Sequence, residues 1–323
     1  TGDMGQTLSD PVTTKESSTV SNDQFFVGSS SMQGWRVTME DTHIHYLNLP
    51  GDSDAAYYAV YDGHGGSGVA KYAGKHLHNY IVQRKEYGEK NYEEAIKMGF
   101  LDFDAAMLVD PEMSKDPSGS TAVCALIVDD NVYCGNVGDS RCVASVNGTA
   151  VPLSKDHKPG DTSEAERIIA AGGWVENDRV NGNLALSRAV GDFSFKTNKD
   201  LGPEEQAITA YPDVQKHKLS TEWEFLVLAC DGIWDVLSNQ SVVSFIRSQL
   251  AEESEPAVIC ENLIDRCLAP DCQMDGLGCD NMTIVIVCFL NGKPFSELCR
   301  RIKENFTRFL PQQDSSDKVE KVS

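Results

Sequence analysis

The stretch Tyr57-Tyr58-Ala59-Val60-Tyr61-Asp62-Gly63-His64-Gly65-Gly66 decides the fold, and a second stretch repeats its plan. In both stretches a run of apolar residues ends in an aspartate that a glycine follows at once; the second runs Phe225-Leu226-Val227-Leu228-Ala229-Cys230-Asp231-Gly232. Each apolar run predicts a buried strand. The aspartate at its exit is then held rigidly, and the glycine permits a turn tight enough for a backbone carbonyl to face the same ligand.

Other carboxylates extend this pattern. Glu40 and Asp41 follow shortly after Arg36, and Asp280 precedes Asn281. With Asp62 and Asp231 they give five carboxylates a candidate meeting point. A set of oxygen ligands suits Mg²⁺ or Mn²⁺ and argues against zinc or copper.

Two such ions can share a bridging hydroxide and clamp an in-line displacement at phosphorus. The remaining needs of phosphate ester hydrolysis are also present. Arg36 offers a planar fork for phosphate oxygens, and His64, two residues after Asp62, can give a proton to a departing alkoxide. The sequence therefore predicts a metal-dependent hydrolase of phosphate monoesters.

Simpler explanations exist for each residue taken alone. An isolated Asp-Gly is usually a turn, and an isolated histidine is usually structural. Gly63-x-Gly65-x-x-Gly68 fits the dinucleotide fingerprint and keeps a nucleotide-dependent oxidoreductase as an alternative, although Asp62 would repel a pyrophosphate. A second alternative is a binding scaffold whose metals serve only structure.

Composition restricts the partners. The chain has 323 residues and a formal net charge of −21, which disfavours nucleic acid and anionic membrane surfaces as partners. No stretch is long and apolar enough for a membrane helix, and no secretory signal is recognised. The ten cysteines form no CxxC pair, so we expect reduced, buried thiols in a cytoplasmic protein, with the nucleus left open.

Both ends of the chain are polar. Residues 1–22 are rich in Ser, Thr and Asp and predict a disordered arm, in which Thr1–Asp3 have the character of a cloning remnant. Met4-Gly5-Gln6-Thr7-Leu8-Ser9 fits the N-myristoylation pattern, so Gly5 could carry a lipid that associates the protein with membranes. We expect a phosphatase domain over 23–292, a C-terminal helix over 293–310 and a disordered tail over 311–323.

Further elements are predicted between and beyond these two stretches. Apolar runs predict strands over 57–61, 121–128, 132–136, 142–146, 225–230 and 283–289, with Asp129-Asp130-Asn131 as a hairpin turn. Helical periodicity predicts helices after Gly68 and over 92–109, 240–252 and 256–268. Ser163-x-x-Glu166 predicts a capping box, for a short helix that Gly172-Gly173 ends. This order suggests two packed sheets with helices outside them.

Eight short motifs, in order over about residues 25–290, resemble those of the metal-dependent PPM (type 2C) protein serine/threonine phosphatases. They are Ser31-Met32-Gln33-Gly34-Trp35-Arg36 with Met39-Glu40-Asp41, Val60-Tyr61-Asp62-Gly63-His64-Gly65-Gly66, Ser118-Gly119-Ser120-Thr121-Ala122, Gly138-Asp139-Ser140-Arg141, Asp156-His157-Lys158-Pro159, Leu186-Ser187-Arg188-Ala189-Val190-Gly191-Asp192, Ala229-Cys230-Asp231-Gly232-Ile233-Trp234-Asp235 and Asp280-Asn281-Met282-Thr283.

The resemblance implies an α+β fold: a four-layer α-β-β-α sandwich of two antiparallel sheets flanked by helices, with a dinuclear metal site at one end. It implies a signalling enzyme, which we expect to be a monomer, that hydrolyses phosphoserine and phosphothreonine in proteins by attack of a metal-bridging hydroxide. It also implies that the segment from about Lys158 to Asp192 is a flap next to the site.

The resemblance further implies the ligands. One Mg²⁺ or Mn²⁺ would be held by Asp62, Asp231 and Asp280, and the other by Glu40, Asp62 and the Gly63 carbonyl. Asp41 would lie beside them, and Asp139 and Asp235 match positions that contribute to a weaker third ion. Arg36 would bind phosphate and His64 would be the general acid, so the implied catalytic residues are Arg36, His64, Asp62 and Asp231.

Overall fold

Two antiparallel sheets packed face to face form the centre of the molecule. The computed structural model describes residues 7–272 and 276–309, with side chains described to residue 305. The first sheet has six strands in the spatial order β1 (Thr7–Ser21), β2 (Phe25–Arg36), β16 (Met282–Phe289), β15 (Trp223–Ala229), β9 (Arg141–Val146) and β10 (Thr149–Pro152). The second has five, in the order β14 (Asp213–Lys218), β8 (Asn131–Val137), β7 (Ala122–Val128), β4 (Ala56–Tyr61) and β3 (Thr42–Tyr46).

Helices cover the outer face of each sheet. The helices are α1 (Gly68–Val82), α2 (Lys85–Gly88), α3 (Tyr92–Val109), α4 (Thr162–Ala170), α5 (Asp231–Trp234), α6 (Asn239–Ala251), α7 (Pro256–Cys267) and α8 (Phe295–Phe309). Helices α1 and α3 pack on the second sheet, while α6 and α7 pack on the first. Short strands complete the chain: β5 (Gly63–His64), β6 (Gly119–Ser120), β11 (Val175–Glu176), β12 (Arg179–Val180) and β13 (Val190–Gly191).

The layers explain why the central strands are mostly apolar. In β4, Tyr58 and Val60 face the other sheet, while Tyr57 and Tyr61 face the helices. Because side chains alternate along a strand, a strand covered on both faces has few positions left for a polar residue. The predicted four-layer α+β architecture is confirmed.

Most predicted elements are found within one or two residues of their expected ends. Helix α3 spans Tyr92–Val109 as predicted, and β7 and β8 form the predicted hairpin. Asp129 and Asp130 in its turn have φ values of 49° and 59°, in the left-handed region that aspartate tolerates better than most residues. The predicted C-terminal helix is α8, and the predicted tail over 311–323 lies outside the described residues.

The prediction of a disordered arm over residues 1–22 is wrong for Thr7–Ser21, which form β1. This strand pairs along the edge of β2, and Lys15 contacts Asp265 of α7 at 2.6 Å. The Ser17 hydroxyl donates to Glu261 of α7, also at 2.6 Å. An edge strand that faces solvent needs few apolar side chains, so composition gave no sign of it.

Two smaller expectations also differ from the structure. The predicted capping box is wrong, because α4 begins at Thr162 with Asp161 as its N-cap, so Ser163 already lies in the first turn. Eight cysteines are free and buried as expected, but Cys272 and Cys279 form a disulfide. Their Cα atoms lie 5.8 Å apart across one loop, within the span of a disulfide.

The flap, residues 158–192, has a small core of its own. Ile168 of α4 packs with Val180 and Ala189. Beneath α4 the buried carboxylate of Glu164 accepts hydrogen bonds from Arg167 at 2.7 Å and from Arg188 at 2.6 Å. This ion cluster, called here the flap cluster, fixes α4 on the segment that leads to Asp192.

Candidate metal centre

Strand ends bring the predicted acid residues to one end of the sandwich. Asp62 follows β4 and Asp231 follows β15 after one residue, while Asp280 comes just before β16. In the antiparallel registers, the last residues of β4 and β15 lie beside the first residues of β3 and β16. Chain reversal therefore places all of these exits and entries at the same edge.

Mutual repulsion shows how close the acid side chains are. Burial raises the pKa of Asp62 well above its usual value, and the negative charges of Asp41 and Asp231 raise it further. Burial likewise raises the pKa of Asp231, with added repulsion from Asp139 and Asp280. Carboxylates gathered in a buried place without cations are costly, and a bound cation would offset that cost. We call this group of acid residues the acidic cluster.

Asp41 provides a direct test of whether a cation fits. Both of its carboxylate oxygens are buried and have no hydrogen-bond partner among the described residues. Burial raises its pKa to about 6. Single ligand atoms of Asp41, Asp62 and Cys230 lie within 4.8 Å of one another. Unsatisfied buried oxygens next to a second carboxylate are what a hard cation requires, so these residues fit Mg²⁺ or Mn²⁺.

Glu40 and Gly63 lie against each other beside the acidic cluster. A Cβ on Gly63 would meet the backbone oxygen of Glu40 at 2.5 Å, so this close approach requires glycine. Thr38 donates to one Glu40 carboxylate oxygen at 2.8 Å, and the Gly66 amide donates to the other at 3.2 Å. Glu40 is therefore oriented by its own loop and by the loop that precedes α1.

Asn281 was quoted in a sequence motif without a role, and the structure gives it one. Its side-chain oxygen accepts from the Glu40 amide at 2.9 Å, and its side-chain nitrogen donates to the carbonyls of Gln33 and Thr38. Asn281 thus ties the loop that carries Glu40 to the start of β16. The sequence offered only its position after Asp280 as a signal.

Arg36 reaches the acidic cluster from the end of β2. Its Nη2 donates to Asp280 Oδ2 at 2.6 Å, and its side chain is 41 % exposed. A cavity of about 130 Å³ is bordered by Arg36, Asp231, Asp235 and Asp280. The structure therefore brings the predicted phosphate-binding arginine together with three predicted metal ligands.

Asp139 and Asp235, predicted for a weaker third ion, also belong to the cluster, since the charges of both act on Asp231. Lys158, from the start of the flap, donates to Asp139. Burial raises the pKa of Asp235, Lys158 opposes that shift, and the charge of Asp139 adds to it. Lys158 is thus a cation beside the acidic cluster for which the sequence alone had suggested no role.

His64 lies at the rim, in the short strand β5. Its Nε2 is 2.7 Å from Asp192 Oδ2. Burial lowers the pKa of His64, but the charge of Asp192 outweighs that effect and the net shift is upward. The sequence motifs contained Asp192 but assigned it no function, because 128 residues separate it from His64.

Comparisons with known proteins agree with this geometry. The sequence profile of the family described as Protein phosphatase 2C matches residues 25–276. A probable protein phosphatase 2C of Caenorhabditis elegans is 61% identical over 290 residues, which are 90% of this chain and 82% of the relative. Protein phosphatase 2C homolog 2 of Schizosaccharomyces pombe is 51% identical, over 90% of this chain and 80% of its own length.

A solved structure supports the same assignment. The crystal structure of a phosphatase from a pathogenic strain of Toxoplasma gondii superposes with a TM-score of 0.74 and 27% sequence identity, over 86% of this chain and 96% of that chain. The chain belongs to the protein phosphatase 2C family. It is a metal-dependent protein serine/threonine phosphatase with the α+β fold of that family.

Proposed function

We propose that the acidic cluster holds two Mg²⁺ or Mn²⁺ ions for the hydrolysis of phosphoserine and phosphothreonine in proteins. The observation that carries the proposal is the unpartnered, buried carboxylate of Asp41 among acid residues that repel one another, beside an arginine and a histidine. Asp62, Asp231 and Asp280 would hold one ion, and Glu40, Asp62 and the Gly63 carbonyl the other. Asp41 would lie beside both, and Asp139 and Asp235 would hold a weaker third ion.

When bound, these ions would supply an activated water and neutralise charge on the phosphate. The protein supplies the rest. Arg36 donates to Asp280 through Nη2. Its guanidinium has further N–H groups that would donate to phosphate oxygens. His64 holds a proton at the rim of the site and delivers it to the serine or threonine oxygen as the P–O bond breaks.

The first test is turnover of a phosphothreonine peptide and of an aryl phosphate with Mn²⁺, with Mg²⁺ and with excess EDTA. Turnover of both substrates that depends on the metal is expected. Folded protein that hydrolyses neither substrate with any metal would favour a metal-bearing scaffold, and the catalytic roles would fall. Calorimetric titration with Mn²⁺ should give two tight sites per chain; a single site would contradict the dinuclear arrangement.

The role of His64 has a separate test. His64→Ala should lower turnover of a phosphothreonine peptide on the order of 10²–10⁴-fold, because an alkoxide leaves poorly without a proton. An aryl phosphate should lose much less, since its leaving group needs little protonation. Equal losses for the two substrates would contradict a general acid.

We also propose that the enzyme is a cytoplasmic monomer and that myristoylation of Gly5 associates part of it with membranes. Gly5 lies outside the described residues, and no described helix is long and apolar enough to cross a membrane. Co-expression with an N-myristoyltransferase, from a chain starting at Met4, should add the mass of one myristoyl group, and Gly5→Ala should prevent it. A single myristoyl group gives only marginal affinity for a membrane, so vesicle binding should be weak and reversible.

A further inference from the structure

His64 and Asp192 form a pair that the metal chemistry does not explain. His64 Nε2 lies 2.7 Å from Asp192 Oδ2, and the Asp192 side chain is 6% exposed. Asp192 comes from the end of the flap, whereas His64 comes from the strand β5 beside the acidic cluster. Two separate segments therefore meet at one ring nitrogen of the histidine.

The backbone around Asp192 is built for this contact. Asp192 has φ 51° and ψ 39°, a left-handed conformation that costs most residues free energy. Its amide donates to the Ser118 carbonyl at 3.3 Å. Gly119 leaves the space for the pair, because a Cβ there would lie 2.1 Å from Asp192 Oδ2 and 2.5 Å from His64 Nε2.

A buried ion pair also holds the turn that carries Asp192. The Gly191 amide donates to Asp104 Oδ1 at 2.8 Å, and Lys196 donates to the same carboxylate. Asp104 belongs to α3, which is packed into the helical layer. The position of Asp192 is thus fixed by the core rather than by the flap surface.

We propose that Asp192 is a positioning residue that fixes the imidazole of His64 through Nε2 and leaves Nδ1 to deliver the proton. This inference rests on the proposed function. In the step, the oxygen of the attacking water forms a new bond to phosphorus, the P–O bond to serine or threonine breaks, and the electron pair of that bond stays on the leaving oxygen. That oxygen takes the proton from Nδ1, while the other ring proton stays on Nε2 and remains hydrogen-bonded to Asp192. Solvent then returns a proton to Nδ1 before the next turnover.

Asp192→Asn tests the inference with little change in backbone, because asparagine also tolerates the left-handed conformation. Because His64 would then be held less firmly in place, turnover of a phosphothreonine peptide should fall about 10- to 100-fold in this variant. Turnover of an aryl phosphate should change less than about 2-fold, since it depends little on the acid. Equal losses for the two substrates would overturn the inference.

The double variant His64→Ala/Asp192→Asn separates positioning from general structure. If Asp192 acts only through His64, the double variant should match His64→Ala on both substrates, because groups that act as one unit are not additive. A further loss on the peptide in the double variant would overturn the inference.

Asp130→Asn is the matched control. Asp130 also has a left-handed backbone conformation, but it is exposed, in the turn between β7 and β8.

The melting temperature and the Mn²⁺ concentration for half-maximal activity should be unchanged in Asp192→Asn. A shift in the Mn²⁺ requirement would mean that Asp192 supports the metal centre instead, and would overturn its assignment to His64. Absence of turnover in the wild type would overturn the proposed function and this inference with it. Wild-type turnover, with selective loss in His64→Ala but not in Asp192→Asn, would overturn this inference alone.

Discussion

The acidic cluster and the flap cluster both bury carboxylates, but they balance the charge in opposite ways. In the flap cluster the Glu164 carboxylate accepts from Arg167, Arg188 and the Ser187 hydroxyl, so both oxygens are satisfied. In the acidic cluster both oxygens of Asp41 have no hydrogen-bond partner in the part of the chain that the structure describes. A buried acid whose partners come from the chain serves structure, whereas buried acids that lack them indicate a ligand from outside.

The pKa values express the same difference. Burial raises the pKa of Glu164, but the hydrogen bond from Arg188 and the charge of Arg167 outweigh this and bring it to about 2. Burial brings the pKa of Asp41 to about 6. Substitution should therefore have opposite consequences in the two clusters: lost activity in one and lost stability in the other.

The largest expected effect is on activity. Asp231→Asn should lower turnover on the order of 10³-fold or more, because a metal centre supplies several kcal/mol of transition-state stabilisation. The metal-free variant should melt no lower than metal-free wild type, since one repelling charge is gone. Turnover assays check the first expectation, and thermal denaturation in EDTA checks the second. Near-normal turnover would show that Asp231 does not belong to the metal centre.

The second largest expected effect is the loss of stability when the flap cluster loses its carboxylate. Glu164→Gln should lower the free energy of unfolding by about 3–5 kcal/mol, because it leaves Arg167 and Arg188 without their buried counter-charge. Urea denaturation measures the loss. Glu166→Gln, on the exposed side of the same helix, is the matched control and should change stability by less than about 0.5 kcal/mol. If the two variants were equally stable, the flap cluster would have no structural role.

Metal binding should stabilise the protein through the acidic cluster alone. At a Mg²⁺ concentration about 100 times the dissociation constant, the gain should be about 2.7 kcal/mol. Glu164→Gln should show the same Mg²⁺-dependent rise in melting temperature as wild type, because its cluster is separate. Asp231→Asn should show little or no rise. A full rise in Asp231→Asn would place the stabilising ion elsewhere.

The smallest expected effect is a pair of opposite pH slopes in metal-free protein. Between pH 4 and 6 the folded state holds a proton on Asp41 that the unfolded state has lost, so the free energy of unfolding falls as pH rises. Between pH 4.5 and 2 the unfolded state binds a proton on Glu164 that the folded state refuses, so the free energy falls as pH falls.

Asp41 and Glu164 should each contribute about 1 kcal/mol per pH unit to the slope in its range. Denaturation in EDTA across this range measures them. Asp41→Asn should make the upper slope shallower without abolishing it, because Asp62 and Asp231 also hold protons in the folded state, and Glu164→Gln should make only the lower slope shallower. A slope of the same sign in both ranges would mean that the two clusters do not differ in charge balance.

Local chemistry made the core of the fold and the ends of its strands predictable. The strands that carry Asp62 and Asp231 are covered on both faces, so they are almost entirely apolar, with Glu224 in β15 as the exception, and they end visibly at an aspartate and a glycine. The edge strand β1 was missed because it faces solvent and is held by its backbone pairing with β2 and by contacts with α7. Its polar composition matches that of a disordered arm.

The site residues also divide into those that local sequence predicts and those that contacts between distant segments place. Asp62, Asp231 and Asp280 could be predicted because each lies at the end of a recognisable strand. The contact of Arg36 with Asp280 joins positions 244 residues apart, and that of His64 with Asp192 joins positions 128 apart. No periodicity or spacing encodes such pairs.

The sequence by itself determined the two-sheet core, the acid residues at its strand ends and the class of chemistry they serve. These follow from side-chain burial and turn chemistry, which act over a few neighbouring residues. Only the tertiary structure decided that β1 is a strand, that Asn281 holds the Glu40 loop and that Asp192 meets His64. Such contacts form only after distant segments have been packed by the whole core, so they depend on the fold as a unit.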